Sequence, residues 1–388
     1  MRKFMVVSGF LGSGKTTTMM AVTNYLNRTG RTVAMISNDL GRKGLADYRY
    51  SKAAGVKAEE ISGACICNVT ENLVERLRRL YTDDGCQLVM SDIPGFGVGA
   101  LSHVYYKLRD LYPDECELAP FTVITEGTVL DMLKECEISG DSEGNRDLTA
   151  HIGNTTAFLP RCERTSTLPD EMKYLLKSQL LEGDLIVLNK IDLYTDREKN
   201  AYLTFIRSLC PDTPVLTVSA VTGEGIPELA DYLLSHRTNF PEPDFGVTDE
   251  EFDSAFDKLS MYNCQYYAEV CCDDFDADEY LTALALQIRD RLKDKGYDVP
   301  HLKLFARRED GGFSKIDLLG VDRDVIITHA MTGRCTDLPV VLNTTSAAKS
   351  LDLAKIIDEA ITDVSGRFNL SVVMYYKECF GLNDEGRI

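Results

Sequence analysis

The sequence lacks long apolar runs and lacks an excess of basic residues. No stretch approaches the roughly 20 consecutive apolar residues that cross a bilayer, so no membrane association is expected. The chain has 42 Lys and Arg against 61 Asp and Glu, which gives a formal net charge of −19. Nucleic-acid binding requires a basic surface, so this balance argues against a nucleic-acid partner. Neither a Ser/His/Asp pattern nor an H-E-x-x-H motif is present to support those hydrolase chemistries.

The composition is typical of a globular protein, with 44% hydrophobic and 27% charged residues. A chain of 388 residues exceeds what one hydrophobic core usually serves, so two domains are expected. The first apolar strand begins at residue 3, which leaves no room for a signal peptide. Twelve cysteines without such a peptide predict reduced thiols and a cytoplasmic protein.

The most informative segment, residues 9–17, reads GFLGSGKTT. It follows an apolar run that predicts a buried strand and precedes residues that predict a helix, which is the context of the phosphate-binding loop G-x-x-x-x-G-K-S/T. In such a loop, backbone N–H groups and the helix N-terminus bind phosphate, the lysine reaches the β- and γ-phosphates, and the hydroxyl binds Mg²⁺. The predicted nucleotide-binding residues here are Gly12, Ser13, Gly14, Lys15, Thr16 and Thr17, with Thr16 on Mg²⁺.

Apolar runs alternate with helical patterns through about the first 240 residues. Strands are predicted at 31–37, 86–91, 121–125, 184–188 and 214–218, and helices at 69–81, 99–111, 169–181 and 196–209. This alternation predicts an α/β fold, a P-loop NTPase whose mostly parallel sheet is flanked by helices. A polar stretch at 134–168 predicts a loop insertion.

The chain is predicted to divide into a P-loop domain at 1–237, a linker at 238–250 and a smaller α+β domain at 251–388. In the last part, strands are predicted at 266–271, 301–307, 314–319, 325–330 and 371–376, and helices at 278–295 and 351–364. That order predicts an antiparallel sheet backed by two helices, loosely ferredoxin-like.

Two later motifs predict that the nucleotide is GTP. Asn189-Lys190-Ile191-Asp192 directly follows a predicted buried strand. The carboxylate of Asp192 can accept both N1–H and N2–H of guanine, a pattern that adenine does not offer, and the stem of Lys190 can lie along the base. Ser219 and Ala220 follow the next strand, where a backbone N–H can reach guanine O6. The alternative for the first motif is a solvated loop of mixed charge.

Two acidic residues at predicted strand ends are candidates for Mg²⁺ and water. Asp92 ends the strand at 86–91 and is predicted to hold Mg²⁺, while Gly95 lets the backbone approach the γ-phosphate. Asp39 ends the second strand and could orient water or bind Mg²⁺, although a simple polar turn is the alternative. Together with Lys15, these two carboxylates are the predicted catalytic residues.

Cys65 and Cys67 form a C-x-C pair beside Gly63. Two thiols at this spacing can face one soft metal ion if the loop is extended, but a tetrahedral site needs three or four ligands. Asn68, Asp39, another thiol or a second subunit would complete it. Packing of two buried cysteines is the alternative.

In this order, the segments resemble the CobW-type GTPases, relatives of the hydrogenase- and urease-maturation GTPases. The resemblance covers roughly residues 1–237 and rests on the phosphate loop, on Asn38 to Gly41, on Cys65 to Asn68 and on Asn189 to Asp192. It implies binding of GTP and Mg²⁺, slow hydrolysis, and delivery of a transition metal (Zn, Co or Ni) or metallocofactor to a client metalloprotein. It implies that Cys65 and Cys67 bind that metal, and it allows a homodimer.

The chain also departs from the family pattern. Asn68 stands where the family has a third cysteine, Asp39 replaces a longer acid, and the strand-end E-x-x-G motif runs from Asp92 to Gly95. The His-rich tract of many members is missing. A branch that serves a metallocofactor enzyme, for example a corrinoid-dependent one, fits the same residues.

The first hypothesis is therefore an accessory GTPase that loads or protects a metal or metallocofactor in a client protein. The second is a GTP-dependent interaction module that gates a partner, with structural cysteines. A third, an ATP-dependent small-molecule kinase, is disfavoured by the segment from Asn189 to Asp192.

Overall fold

The computed structural model describes residues 2–42, 46–95, 97–139, 170–240, 259–298 and 301–381. Of the predicted insertion at 134–168, residues 134–139 belong to a helix and the rest lies outside the described residues. The predicted linker lies outside them from residue 241 onward.

The chain forms two compact units. The first contains Met1–Ile36 and Ile66–Val247, and the second contains Ser37–Cys65 and Thr248–Ile388. Residues 37–65, which include the end of the second strand and all of the third, therefore pack with the C-terminal residues, which the sequence did not predict. The predicted boundaries at 237 and 251 stay a prediction.

A mostly parallel sheet organises the first part of the chain. Among the described residues it has the order β3-β2-β4-β1-β6-β7-β8, with β5 beside β1. Its inner strands β1, β4, β6 and β7 are fully buried, as expected for continuous apolar runs covered on both faces. The strands are β1 Lys3–Ser8, β2 Val33–Asp39, β3 Ala58–Ser62, β4 Leu88–Asp92, β5 Glu117–Leu118, β6 Thr122–Thr125, β7 Leu185–Leu188 and β8 Val215–Thr217.

Helices connect these strands, and their ends follow local capping chemistry. The helix at 196–209 begins with a capping box, in which the Thr195 side chain accepts the Glu198 N–H and the Glu198 carboxylate accepts the Thr195 N–H. The predicted helix at 99–111 is a π-helix, Leu101–Tyr106, followed by a short α-helix. The helices are α1 Lys15–Arg28, α2 Ala46–Ala53, α3 Thr70–Thr82, α4 Lys107–Leu111, α5 Gly127–Ser139, α6 Asp170–Leu181, α7 Asp196–Leu209 and α8 Ile226–Ser235.

The C-terminal region is a separate antiparallel sheet with two long helices, α9 Ala277–Asp294 and α10 Ser350–Arg367. Its described strands run in the order β13-β12-β11-β15-β9-β16, and β10 pairs with β14 apart from it. The strands are β9 Ser260–Val270, β10 Phe275–Asp276, β11 His301–Arg307, β12 Phe313–Leu318, β13 Ile326–His329, β14 Arg334–Cys335, β15 Asp337–Ser346 and β16 Leu370–Gly381. The α/β fold with an additional α+β region is confirmed.

The two faces of the antiparallel sheet differ in chemistry. Side chains alternate between faces along each strand, and one face joins α9 and α10 in an apolar core. Segment 37–65 packs within the same unit through polar groups and through a small apolar cluster of Ala46, Phe305 and Val341. Lys303 pairs with Asp47, Lys315 lies 3.3 Å from the same carboxylate, and Asn343 Oδ1 accepts the Ala46 N–H at 2.7 Å. Polar and apolar sheet residues together thus hold the region around α2.

None of the described helices combines the length and apolar character needed to cross a membrane.

Candidate nucleotide and metal sites

The loop after β1 has the backbone of a phosphate cradle. Gly14 adopts a left-handed conformation, with φ of 93°, and the helix begins at the next residue. A Cβ on Gly14 would lie 2.3 Å from Asn189 Nδ2, so the close approach requires glycine here. The hydroxyl of Ser13 is buried and has no hydrogen-bond partner in the structure. A buried hydroxyl of this kind fits a phosphate oxygen as its partner.

The side chain of Lys15 folds back onto the phosphate loop that precedes it. Its Nζ donates hydrogen bonds to the carbonyl oxygens of Gly9, at 2.6 Å, and Phe10, at 3.3 Å. Thr16 and Thr17 follow in the first turn of α1 and are partly exposed, as are Gly12 and Lys15 itself. The loop thus presents one cation, two hydroxyls and the positive end of a helix on one short segment.

Asp92 and Gly95 lie beside this loop. β1 and β4 pair in parallel with Val7 opposite Asp92, which places the carboxylate at the same strand ends as the phosphate loop. A Cβ on Gly95 would lie 2.6 Å from Leu11 Cδ2 and 3.0 Å from Leu11 N. The Gly95 backbone is therefore in close contact with the loop. That Gly95 contacts phosphate and that Asp92 binds Mg²⁺ both stay predictions.

Asn189 joins the phosphate loop to the second predicted base-binding turn. Its Nδ2 donates to the Ser13 carbonyl at 3.0 Å, and its Oδ1 accepts the Ala220 N–H at 3.2 Å. Ser219 is fully buried, and its Oγ accepts the Thr222 N–H, which shapes the turn. The structure thus brings together residues that lie more than 170 positions apart.

Lys190 and Asp192 follow in an unusual backbone conformation. Lys190 is a non-glycine residue with φ of 63°, a conformation that is sparsely populated and clusters at functional sites. Its Nζ lies 3.7 Å from Glu126 Oε2. Asp192 is exposed in a short 3-10 turn, so its carboxylate is accessible to a base. Guanine recognition by this pair is a prediction.

Asp39 makes local contacts at the end of β2. Its Oδ1 accepts the Leu40 N–H at 2.6 Å and lies 3.4 Å from the Gly41 N–H, which is the polar-turn arrangement. Burial raises the pKa of Asp39, and the charge of Lys303 lowers it in part. The turn is thus present, and a catalytic role for Asp39 stays a prediction.

Cys65 and Cys67 are partly exposed and both are disulfide-bonded. The disulfide-bonded state of these two residues differs from the reduced thiols that were expected. Reduced thiols, as expected, are present among the described residues at Cys86, Cys116, Cys210, Cys264, Cys271, Cys272, Cys335 and Cys379. Within the described residues, no group of three or more His, Cys, Asp or Glu residues is arranged to hold a metal ion. Metal binding by Cys65 and Cys67 stays a prediction.

Comparison with known proteins identifies the family. A family model described as the nucleotide-binding domain of CobW/HypB/UreG matches residues 3–217. The chain belongs to the CobW/HypB/UreG family. This match confirms the resemblance that rested on the phosphate loop and the three later motifs, and it describes residues 3–217 as a nucleotide-binding domain.

One curated relative is an uncharacterized protein, MJ0920, of Methanocaldococcus jannaschii, 34% identical over 67 residues. That match covers 17% of this chain and only 36% of the relative. Similar solved structures include HypB of Archaeoglobus fulgidus, at 18% identity and a TM-score of 0.36, covering 60% of this chain and 88% of that one. The Zn(II)-bound YjiA GTPase of E. coli has 12% identity and a TM-score of 0.34, covering 94% and 98%.

Sequence reasoning missed two residues of this CobW/HypB/UreG domain. Gln179, near the end of α6, and Glu182, just after it, are buried and bond to the glycine-rich segment that contains Gly95. Nothing in the sequence singles them out, because Lys177, Ser178 and Asp184 are polar residues of the same stretch.

Proposed function

We propose that the protein is a GTP-hydrolysing accessory protein that handles or inserts a transition metal or metallocofactor for a client metalloprotein. The observation that carries the nucleotide part is the bridge made by Asn189. One side chain bonds both the phosphate loop, at Ser13, and the turn at Ala220. The segment that binds phosphate and the turn that binds the base would therefore be held together by one side chain.

The residues present fit GTP and Mg²⁺. Thr16 and Asp92 supply hydroxyl and carboxylate oxygens, the ligand types that Mg²⁺ prefers. When bound, Mg²⁺ would neutralise charge on the phosphates. Lys15 would exchange its bonds to Gly9 and Phe10 for phosphate oxygens, and Gly95 would approach the γ-phosphate. Asp39 would orient the attacking water.

Base selection would rest on the exposed carboxylate of Asp192. It would accept two N–H groups of guanine, while Lys190 covers the base and the Ala220 N–H approaches guanine O6. The left-handed backbone at Lys190 supports this role, because such strain is retained where the surrounding structure requires it.

Metal handling would use Cys65 and Cys67 as thiolates. Both must first be reduced, since a disulfide sulfur has no thiolate to offer a metal. Two thiolates leave a tetrahedral site incomplete, so further donors would come from the cargo, the client or a second copy of the chain. The pair lies between Asp39 and Asp92 along the chain, where movement linked to hydrolysis could alter metal affinity.

Metal binding to the reduced protein tests this proposal. Equilibrium dialysis with Zn²⁺, Co²⁺ and Ni²⁺ should give binding that differs between GTP and GDP. The double substitution Cys65→Ser/Cys67→Ser should abolish it, while Cys271→Ser/Cys272→Ser, which changes two exposed free thiols, should retain it. Equal binding by all three proteins would contradict the metal claim.

A second candidate function is favoured by the disulfide-bonded state of Cys65 and Cys67. In it, the GTP-dependent switch gates a partner and the cysteines are structural. Capture of client proteins from extract in the GTP and GDP states separates the two. Nucleotide-dependent capture that survives the double substitution at Cys65 and Cys67 supports this second function.

A further inference from the structure

Two buried side chains hold the glycine-rich segment that follows β4. Gln179 Nε2 donates hydrogen bonds to the carbonyl oxygens of Gly95 and Gly97, each at 3.1 Å. The carboxylate of Glu182 accepts the Gly99 N–H at 3.1 Å and the Leu101 N–H at 2.7 Å. We call these two side chains, Gln179 and Glu182, the latch. It bonds four alternate residues of one segment.

The latch is matched to the backbone it holds. An amide that donates faces two carbonyl groups, and a carboxylate that accepts faces two N–H groups. Leu101 is also the first residue of the π-helix, whose initial N–H groups have no partner within the helix. Gln179 is 2% exposed and Glu182 is 0% exposed. Burying such groups is costly unless their bonds are made, so the bonds define one position of the segment.

The held segment contacts the phosphate loop. Gly95, the first residue bonded by Gln179, approaches Leu11 so closely that a Cβ would lie 2.6 Å from Leu11 Cδ2. The latch therefore fixes the orientation of the Gly95 carbonyl while the Gly95 Cα rests against the loop. Any group bound between the loop and Gly95 depends on that placement.

We propose that Gln179 and Glu182 are positioning residues that hold Gly95 against the phosphate loop and thereby set the affinity for the γ-phosphate. This inference rests on the proposed function, since it assumes that the loop binds GTP. Neither residue would touch the nucleotide. GDP has no γ-phosphate, so its affinity does not depend on the latch.

Nucleotide affinity of matched variants tests the latch. Gln179→Leu removes both donors at similar size, and Gln179→Glu keeps the shape but places acceptors against two carbonyls. Affinity for a non-hydrolysable GTP analogue should fall roughly tenfold or more in both, while GDP affinity stays within about twofold. Gln87→Leu, which removes a glutamine bonded to the exposed Arg31, should leave both affinities unchanged.

Two readouts complete the test. Glu182→Gln, which keeps one acceptor, should retain more analogue affinity than Glu182→Ala. Hydrogen exchange should show faster exchange of the Gly99 and Leu101 amides in Glu182→Ala. Unchanged analogue affinity in both Gln179 variants, or an equal fall for the analogue and GDP, would overturn the latch. A wild-type protein that binds no GTP would instead overturn the proposed function.

Discussion

Replacing Glu182 by Gln should change how the stability of the protein depends on pH. Burial raises the pKa of Glu182 from 4.5 to about 7, and the N–H groups of Leu101 and Gly99 offset only part of that rise. Between these values the unfolded chain carries an ionised carboxylate while the folded protein keeps it protonated. The folded state then binds more protons, so stability falls as the pH rises. At about 1.4 kcal/mol for each pKa unit, the total is about 3 kcal/mol.

Urea unfolding of the full chain, followed by far-UV circular dichroism between about pH 5 and about pH 8, measures this change. The chain has no tryptophan, so its fluorescence is a weaker probe. Most other groups titrate alike in both proteins. The unfolding free energy of Glu182→Gln minus that of wild type should therefore rise by about 2 to 3 kcal/mol across this range. Parallel curves for Glu182→Gln and wild type would refute the reasoning.

Two other substitutions give further predictions. Asp47→Asn removes a carboxylate that pairs with two lysines of the C-terminal sheet. Thermal unfolding should show that the free energy of unfolding falls by roughly 3 kcal/mol. Asp322→Asn, which breaks an exposed ion pair, should lower it by under about 1 kcal/mol, and equal losses would argue against a structural role for the Asp47 ion pairs. Asn189→Ala removes both hydrogen bonds of the bridge and should weaken GTP binding roughly tenfold, as measured by calorimetry. Asn200→Ala, which changes an exposed asparagine, should leave the affinity unchanged. An unchanged affinity in Asn189→Ala would mean that the bridge is dispensable.

The parallel sheet could be predicted because each of its main strands is marked by the residues of that strand alone. The strands at β1, β4 and β7 are short apolar runs, and their order with intervening helices fixes the fold class. The helix α2 was missed, because it has few apolar residues and packs against Phe305 and Val341, far along the chain. The ten-residue strand β15 was missed as well, since it contains a proline and its second half is polar.

The candidate site divides in the same way. The phosphate loop and the Asn189 motif are visible because each is a short segment with a fixed spacing. The latch was not visible, because Gln179 and Glu182 act through bonds to backbone groups more than 80 positions away. Backbone groups carry no sequence signal, so only the fold reveals them. The disulfide-bonded state of Cys65 and Cys67 was also outside what composition predicts.

The most direct test of the central claim, a guanine nucleotide site, is the base preference of Asp192→Asn. In wild type, binding should be tightest for GTP and much weaker for ATP and xanthosine triphosphate. An asparagine amide can donate to the C2 carbonyl of xanthine, so Asp192→Asn should lose at least roughly tenfold in GTP affinity and gain affinity for xanthosine triphosphate. Equal binding of ATP and GTP by wild type, or an unchanged preference in Asp192→Asn, would contradict the account.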